Sequence, residues 1–174
     1  MIRLATPEDG LGIAANVKEV FDEYGFIWEE EDYNADLFHP EVYLGENGQF
    51  WVAEDEDGII VGCGGIAWHD TIPGAPGETA LDEEGVIRIS ATGGGVARMY
   101  VRPRARHRGI ASQIMRLIDG AARERGLEHV EIWSDKKFDD AHRLYQKFGA
   151  KIVADRISTD PDQSPEWGFI WTLT

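Results

Sequence analysis

Apolar residues recur along this chain at two alternating spacings, one suited to helices and one to strands. Ile2 to Ala5 reads as a short strand, and Thr6-Pro7-Glu8-Asp9 as a helix start, with a hydroxyl cap, a proline at the first helical position and an acid three residues after the cap. Ile13, Val17, Val20, Phe21 and Tyr24 then repeat at helical spacing, and Gly25 is the expected stop. Residues 26 to 48 are acidic and aromatic by turns, with a short helix expected before Gly45. Phe50 to Glu54 and Ile59 to Trp68 are rich in β-branched and aromatic residues and flank Asp57-Gly58, the mark of an antiparallel hairpin.

The second half repeats the alternation. Residues 70 to 95, with Pro73, Gly74, Pro76, Gly77 and Gly93-Gly94-Gly95, read as a long substrate-side flap in which only Val86 to Ile89 can form a strand. Val96 to Val101 is a strand, and from Gly109 to Arg125 the residues Ile110, Ile114, Leu117, Ile118 and Ala121 share one helical face closed by Gly126. Val130 to Ser134 is again a strand, so strand, helix and strand form a crossover unit with parallel strands. A second helical stripe (Ala141, Leu144, Tyr145, Phe148) ends at Gly149, before strands at Lys151 to Ile157 and Trp167 to Leu173. The order β-α-(α)-β-β-β-α-β-α-β-β predicts an α/β fold around a mixed sheet.

Length narrows this to one domain, 1–174, and 43% apolar residues suffice for a core. At 28% charged residues, with apolar stretches of strand length, neither a disordered chain nor a membrane-spanning helix is expected. Met1 leads straight into Ile2-Arg3-Leu4-Ala5 without the pattern of a secretory leader, which predicts a cytoplasmic protein. Cys63 is the sole cysteine, so an intrachain disulfide and a cysteine-built zinc site are excluded; the five histidines are scattered and no metal is expected.

The net charge of −15 is unevenly spread. Residues 1–95 hold 21 acids against Arg3, Lys18 and Arg88, whereas residues 96–174 hold 14 basic and 11 acidic residues. Phosphate backbones and anionic lipid repel so acidic a chain, so nucleic acid and membrane are not expected partners. The local exception is Arg98, Arg102, Arg104, Arg106 and Arg108, an anion-attracting stretch free of acids. There a strand runs out at Pro103 and the chain enters a helix whose first N–H groups lack intrahelical acceptors. Such a turn can seat a pyrophosphate, with Gly109 and Ala111 small enough to let it approach. Equally, Gly109 can simply ease the turn beneath a solvated arginine face.

Val101, Pro103, Arg106, Gly109 and Ala111 resemble the acetyl-CoA-binding signature of the GNAT N-acetyltransferase superfamily, a Val-x-Pro followed by Arg/Gln-x-x-Gly-x-Gly/Ala. His107 stands where many members have a second glycine. Ala141-His142-Arg143-Leu144-Tyr145-Gln146-Lys147-Phe148-Gly149-Ala150 is similar to the family's Ala-x-x-Leu-Tyr-x-Lys-x-Gly-Phe segment. The resemblance implies the GNAT fold, a mixed central sheet with helices on both faces, and transfer of an acetyl group from acetyl-CoA to a primary amine of a small molecule or peptide. It implies that the Met99 backbone polarises the thioester carbonyl, that the Val101 backbone pairs with the pantetheine arm, and that Arg106, His107, Arg108, Gly109, Ile110 and Ala111 hold the pyrophosphate. Tyr145 would contact the cofactor and protonate the departing thiolate, as a phenol with a pKa near 10 can. A homodimer is common among relatives.

Two positions depart from the family pattern. Phe138 replaces an asparagine that touches pantetheine, and Gly95 replaces a glutamate that accepts the amine proton. Glu54, His69, Asp70, Glu83 and Glu84 are the alternative acceptors. The acidic run Glu29 to Asp32, between Trp28 and Tyr33, suits a cationic amine such as a polyamine, an amino sugar, an amino acid derivative or a peptide lysine. The glycine at 95 also leaves open a non-catalytic CoA-binding module, and another short acyl-CoA is a further alternative. Phosphate-loop, dinucleotide-binding and nucleophile-elbow motifs are absent, and Cys63 reads as a small core residue.

Overall fold

The helix start expected at Thr6 forms as a capping box: the Asp9 carboxylate accepts the Thr6 N–H at 2.8 Å across a 3-10 turn, Pro7–Asp9. Helix α1 (Gly10–Tyr24) follows and stops at Gly25, whose φ of 71° is the left-handed cap that glycine takes without strain. The computed structural model describes residues 1–174. It divides into two compact units, Met1–Ala67 with Ala97–Ile118, and Trp68–Val96 with Asp119–Thr174.

In the first unit, β1 (Ile2–Leu4) pairs antiparallel with β2 (Gly48–Glu54), which forms the expected hairpin with β3 (Ile60–Trp68). The Asp55 carboxylate closes the hairpin turn by accepting the N–H groups of Asp57 and Ile59 at 3.0 and 2.9 Å. Ile13, Val17 and Phe21 on one stripe of α1 pack with Phe50, Val52 and Cys63, and Phe26, Trp28, Tyr33 and Tyr100 close over this core. Each large apolar side chain buried there contributes about 1.5–3 kcal/mol. Between α1 and β2 lie the short helix α2 (Ala35–Phe38) and two 3-10 turns, Pro40–Tyr43 and Gly45–Asn47, so the helix expected before Gly45 is real but only one turn long.

In the second unit, the predicted flap is a hairpin instead. Its strands β4 (Thr79–Leu81) and β5 (Ile87–Ile89) form a separate two-stranded sheet. Asp82 is the reason: its carboxylate accepts the N–H groups of Glu84 and Val86 at 3.0 and 2.9 Å, and Gly85 turns with φ 79°. β6 (Gly94–Val101) starts two residues earlier than expected and pairs in parallel with β7 (His129–Asp135) at Gly95↔Glu131. α3 (Ile110–Glu124) forms the crossover, α4 (Asp139–Lys147) follows β7, and β8 (Lys151–Ile157) and β9 (Pro165–Thr172) complete the chain. The seven main strands are ordered β1-β2-β3-β6-β7-β9-β8.

His142 and Tyr145 of α4 lie on Phe169 of β9, with ring centroids 5.5 and 5.6 Å apart. Burial holds the His142 imidazole below its usual pKa, and Nε2 lies 3.1 Å from Ser134 Oγ. The unfolded chain therefore binds this proton first, and stability falls as pH drops below about 6.5 towards the depressed folded value. Across pH 7 to 5 the Tm of wild type is expected to fall more steeply than that of His142→Gln, as differential scanning calorimetry would measure.

Candidate active site

The turn after β6 is built for exposed amides. Pro103–Ala105 is a 3-10 turn, Arg106 is extended, and His107 and Gly109 take positive φ values of 61° and 80° before α3 begins. Gln113 N–H bonds to Gly109 O at 3.0 Å, so the amides of Ile110, Ala111 and Ser112 precede the first helical hydrogen bond. Left-handed residues at His107 and Gly109 turn the main chain so that its amides can form an anion-binding concavity, reinforced by the positive end of a 15-residue helix. A Cβ at Gly109 would meet only Gln113 Nε2, at 3.8 Å, which leaves the approach open. These residues fit a diphosphate.

Arg106 itself acts differently from a free phosphate ligand: its Nε donates to Val101 O at 3.0 Å and its fork grips Glu23 at 2.8 and 2.7 Å. Arg102 pairs with Glu19, Arg104 with Asp55 and Arg98 with Asp36, at 2.9, 2.9 and 2.7 Å. The cationic stretch is therefore mostly neutralised by acids from residues 1–95, and the attraction expected from it is corrected to a main-chain one. Sequence could not show this, because each partner lies between 49 and 83 residues away.

Met99 follows a kink. Arg98, in the middle of β6, has φ 49°, a left-handed conformation that costs a non-glycine residue about 1–2 kcal/mol. Two carbonyls at the kink accept from side chains: Cys63 Sγ donates to Arg98 O at 3.3 Å, and Asn16 Nδ2 to Tyr100 O at 3.2 Å. Gly64 on β3 lets Met99 come close, since a Cβ there would lie 2.8 Å from Met99 Sδ. Cys63 is fully buried, and burial pushes its thiol up to about 12, which suits a structural donor and not a nucleophile.

Tyr145 lies in the second unit, 4% exposed, and burial raises its pKa above the ordinary phenol value, so it stays protonated throughout the neutral range. Of the proton acceptors expected from sequence, Glu54 is paired with Arg3 at 2.5 Å, and Glu83 and Glu84 are exposed on the β4–β5 turn. His69 differs. Its Nδ1 lies 2.8 Å from Asp70 O and so carries the proton, while the buried Nε2 has no hydrogen-bond partner and faces Glu131 Oε1 at 3.6 Å.

The model of the acetyltransferase (GNAT) family matches residues 14–150. This chain belongs to the GNAT family. The uncharacterized N-acetyltransferase YjgM of Escherichia coli K12 is 28% identical over 157 residues, 88% of this chain and 83% of its own. An acetyltransferase of GNAT family from Staphylococcus aureus Mu50 has the same fold, with TM-score 0.74 at 17% identity over 100% of this chain and 99% of its own. So does yncA from Salmonella typhimurium, a structure with its cofactor acetyl-CoA, at TM-score 0.69 and 15% identity over 100% and 94%.

Two features of this GNAT chain escaped the sequence. At Gly95 a Cβ would meet Glu131 Cγ at 3.4 Å and Oε1 at 3.7 Å, so a buried carboxylate from β7 lies beside the position where the family pattern has its own. Glu131 accepts Arg88 Nε at 2.7 Å, the Ile89 N–H at 3.0 Å and Trp133 Nε1 at 3.2 Å, which fastens the β4–β5 hairpin to β7. The other is the set of groups around Arg98. No helix is long and apolar enough to cross a membrane.

Proposed function

We propose that the protein is an acetyl-CoA-dependent N-acetyltransferase, one domain over 1–174, that passes acetyl directly to a primary amine of a small molecule or peptide. The observation that carries this reading is the Arg106–Ala111 turn, with left-handed residues at His107 and Gly109 and helix amides open to an anion, in a chain of the GNAT family. The acetyl-CoA in yncA supports the choice of cosubstrate. Bound there, acetyl-CoA supplies an activated acyl carbon.

The main chain of Arg106, His107, Arg108, Gly109, Ile110 and Ala111 holds the diphosphate, and that of Val101 pairs with the pantetheine arm. The Met99 N–H donates to the carbonyl oxygen as negative charge grows there, an interaction stronger in the transition state than in the ground state. Tyr145 gives its proton to the leaving sulfur. His69, whose Nε2 lies 3.6 Å from Glu131 Oε1, takes the proton from the attacking amine, and the carboxylate stabilises the imidazolium that forms. Glu30, Glu31 and Asp32 are exposed, which suits attraction of a cationic acceptor.

Calorimetry with CoA and acetyl-CoA, followed by CoA release over a panel of a polyamine, an amino sugar, an amino acid ester and a lysine peptide, tests the reading. Binding with amine-dependent release is the expected result. Absence of heat at millimolar ligand overturns it, and binding without release on any amine points to the non-catalytic module.

A further inference from the structure

Arg98 occupies a position where glycine would be free of strain, and its side chain shows what is gained. The guanidinium donates from Nε to Asp36 Oδ2 at 2.9 Å and from Nη2 to Asp36 Oδ1 at 2.7 Å, a two-pronged fork. Nη1 adds Asn34 Oδ1 at 3.3 Å, Nη2 adds Tyr33 O at 2.6 Å, and the group lies over the Tyr33 ring at 4.7 Å. The Tyr43 hydroxyl donates to the same oxygen, Asp36 Oδ2, that accepts from Arg98 Nε. Asn34 is fully buried and the Arg98 side chain is only 11% exposed, so these contacts are shielded from water.

We propose that Arg98 is the positioning residue of acetyl transfer: its fork to Asp36 holds the left-handed kink in β6 and thereby aims the Met99 N–H. The inference rests on the function proposed above. The Met99 N–H belongs to the planar peptide joining Arg98 to Met99, so its direction follows from the backbone angles of Arg98. An arginine released from Asp36 would relax towards the extended region and turn that N–H away. Because the fork grips residues 33–36, directly after the acidic run Glu29 to Asp32, it also fixes the acceptor-side segment to the strand that carries Met99. The diphosphate turn at Arg106–Ala111 is a separate element, held by Glu23 and Val101 O.

The test compares Arg98→Lys, which keeps the charge but not the fork, and Asp36→Asn, which breaks one prong, with Tyr43→Phe, which removes a contact to Asp36 and leaves the fork intact. The expected result is CoA affinity within twofold of wild type in all three, kcat at least tenfold lower in the first two, and kcat within twofold of wild type in Tyr43→Phe. In the ligand-free protein, the NMR coupling between the residue-98 amide and its Hα should move to the extended-strand value in Arg98→Lys. Unchanged coupling and kcat in folded Arg98→Lys and Asp36→Asn would overturn the proposal. So would activity losses in all three variants that track thermal stability. If wild type shows no turnover, the function reading fails by itself, and the coupling still decides whether the fork holds the kink.

Discussion

Glu131→Ala is expected to destabilise the fold by about 3–5 kcal/mol, the usual result of removing one partner from a buried ion pair. Glu131 is 3% exposed and accepts from Arg88, the Ile89 N–H and Trp133 Nε1, so truncation leaves the partly buried guanidinium with only Asp82, at 3.6 Å, and strips the buried Ile89 N–H and the part-buried Trp133 Nε1 of their acceptor. For a chain of this length each kcal/mol shifts Tm by roughly 2–4 °C, so a fall on the order of 6–20 °C should appear in a calorimetric scan. Replacing both partners, as Arg88→Met with Glu131→Leu, should recover much of the loss, because an apolar pair leaves no charge behind. A cost below about 1 kcal/mol for the single truncation would mean that water reaches the carboxylate, as at an exposed pair.

Tyr145→Phe should do the opposite: lower activity steeply while leaving the fold intact. Donation by a positioned acid contributes about 10²–10⁴-fold, so kcat should fall within that range while the KM for acetyl-CoA changes little. The phenol is neutral in both the folded and the unfolded chain at pH 7, so its raised pKa does not act on stability there, and because Phe keeps the ring packed on Phe169 the Tm should change little. Steady-state kinetics beside a thermal scan separates the two readouts. An unchanged kcat would reduce Tyr145 to one more aromatic packed on Phe169.

Much of this was legible in the sequence. The stop at Gly25, the hairpin around Asp57-Gly58 and the crossover from β6 to β7 are local signals, and they formed where expected. The turn residues were legible too, and the structure adds why His107 is tolerated where the signature prefers glycine: the position is left-handed, a conformation that histidine enters more readily than most residues. In the β4–β5 hairpin the strand expected at Val86 to Ile89 formed as β5, whereas its partner β4 was missed because it has only three residues and the turn between them depends on one aspartate side chain, a signal weaker than the glycines and prolines around it. The arginine pairings, the Arg98 kink and the carboxylate beside Gly95 were illegible for a common reason. Each joins residues at least 36 positions apart, and no local pattern encodes such a meeting.

The cancellation of Arg98, Arg102, Arg104 and Arg106 by Asp36, Glu19, Asp55 and Glu23 affects how fast a polyanion can arrive. With those cations compensated, the far field is that of a body carrying −15, and an incoming nucleotide thioester is slowed until it nears the amides. Added potassium chloride should therefore speed encounter in stopped-flow mixing, the reverse of the usual slowing of an anion drawn to a basic cleft.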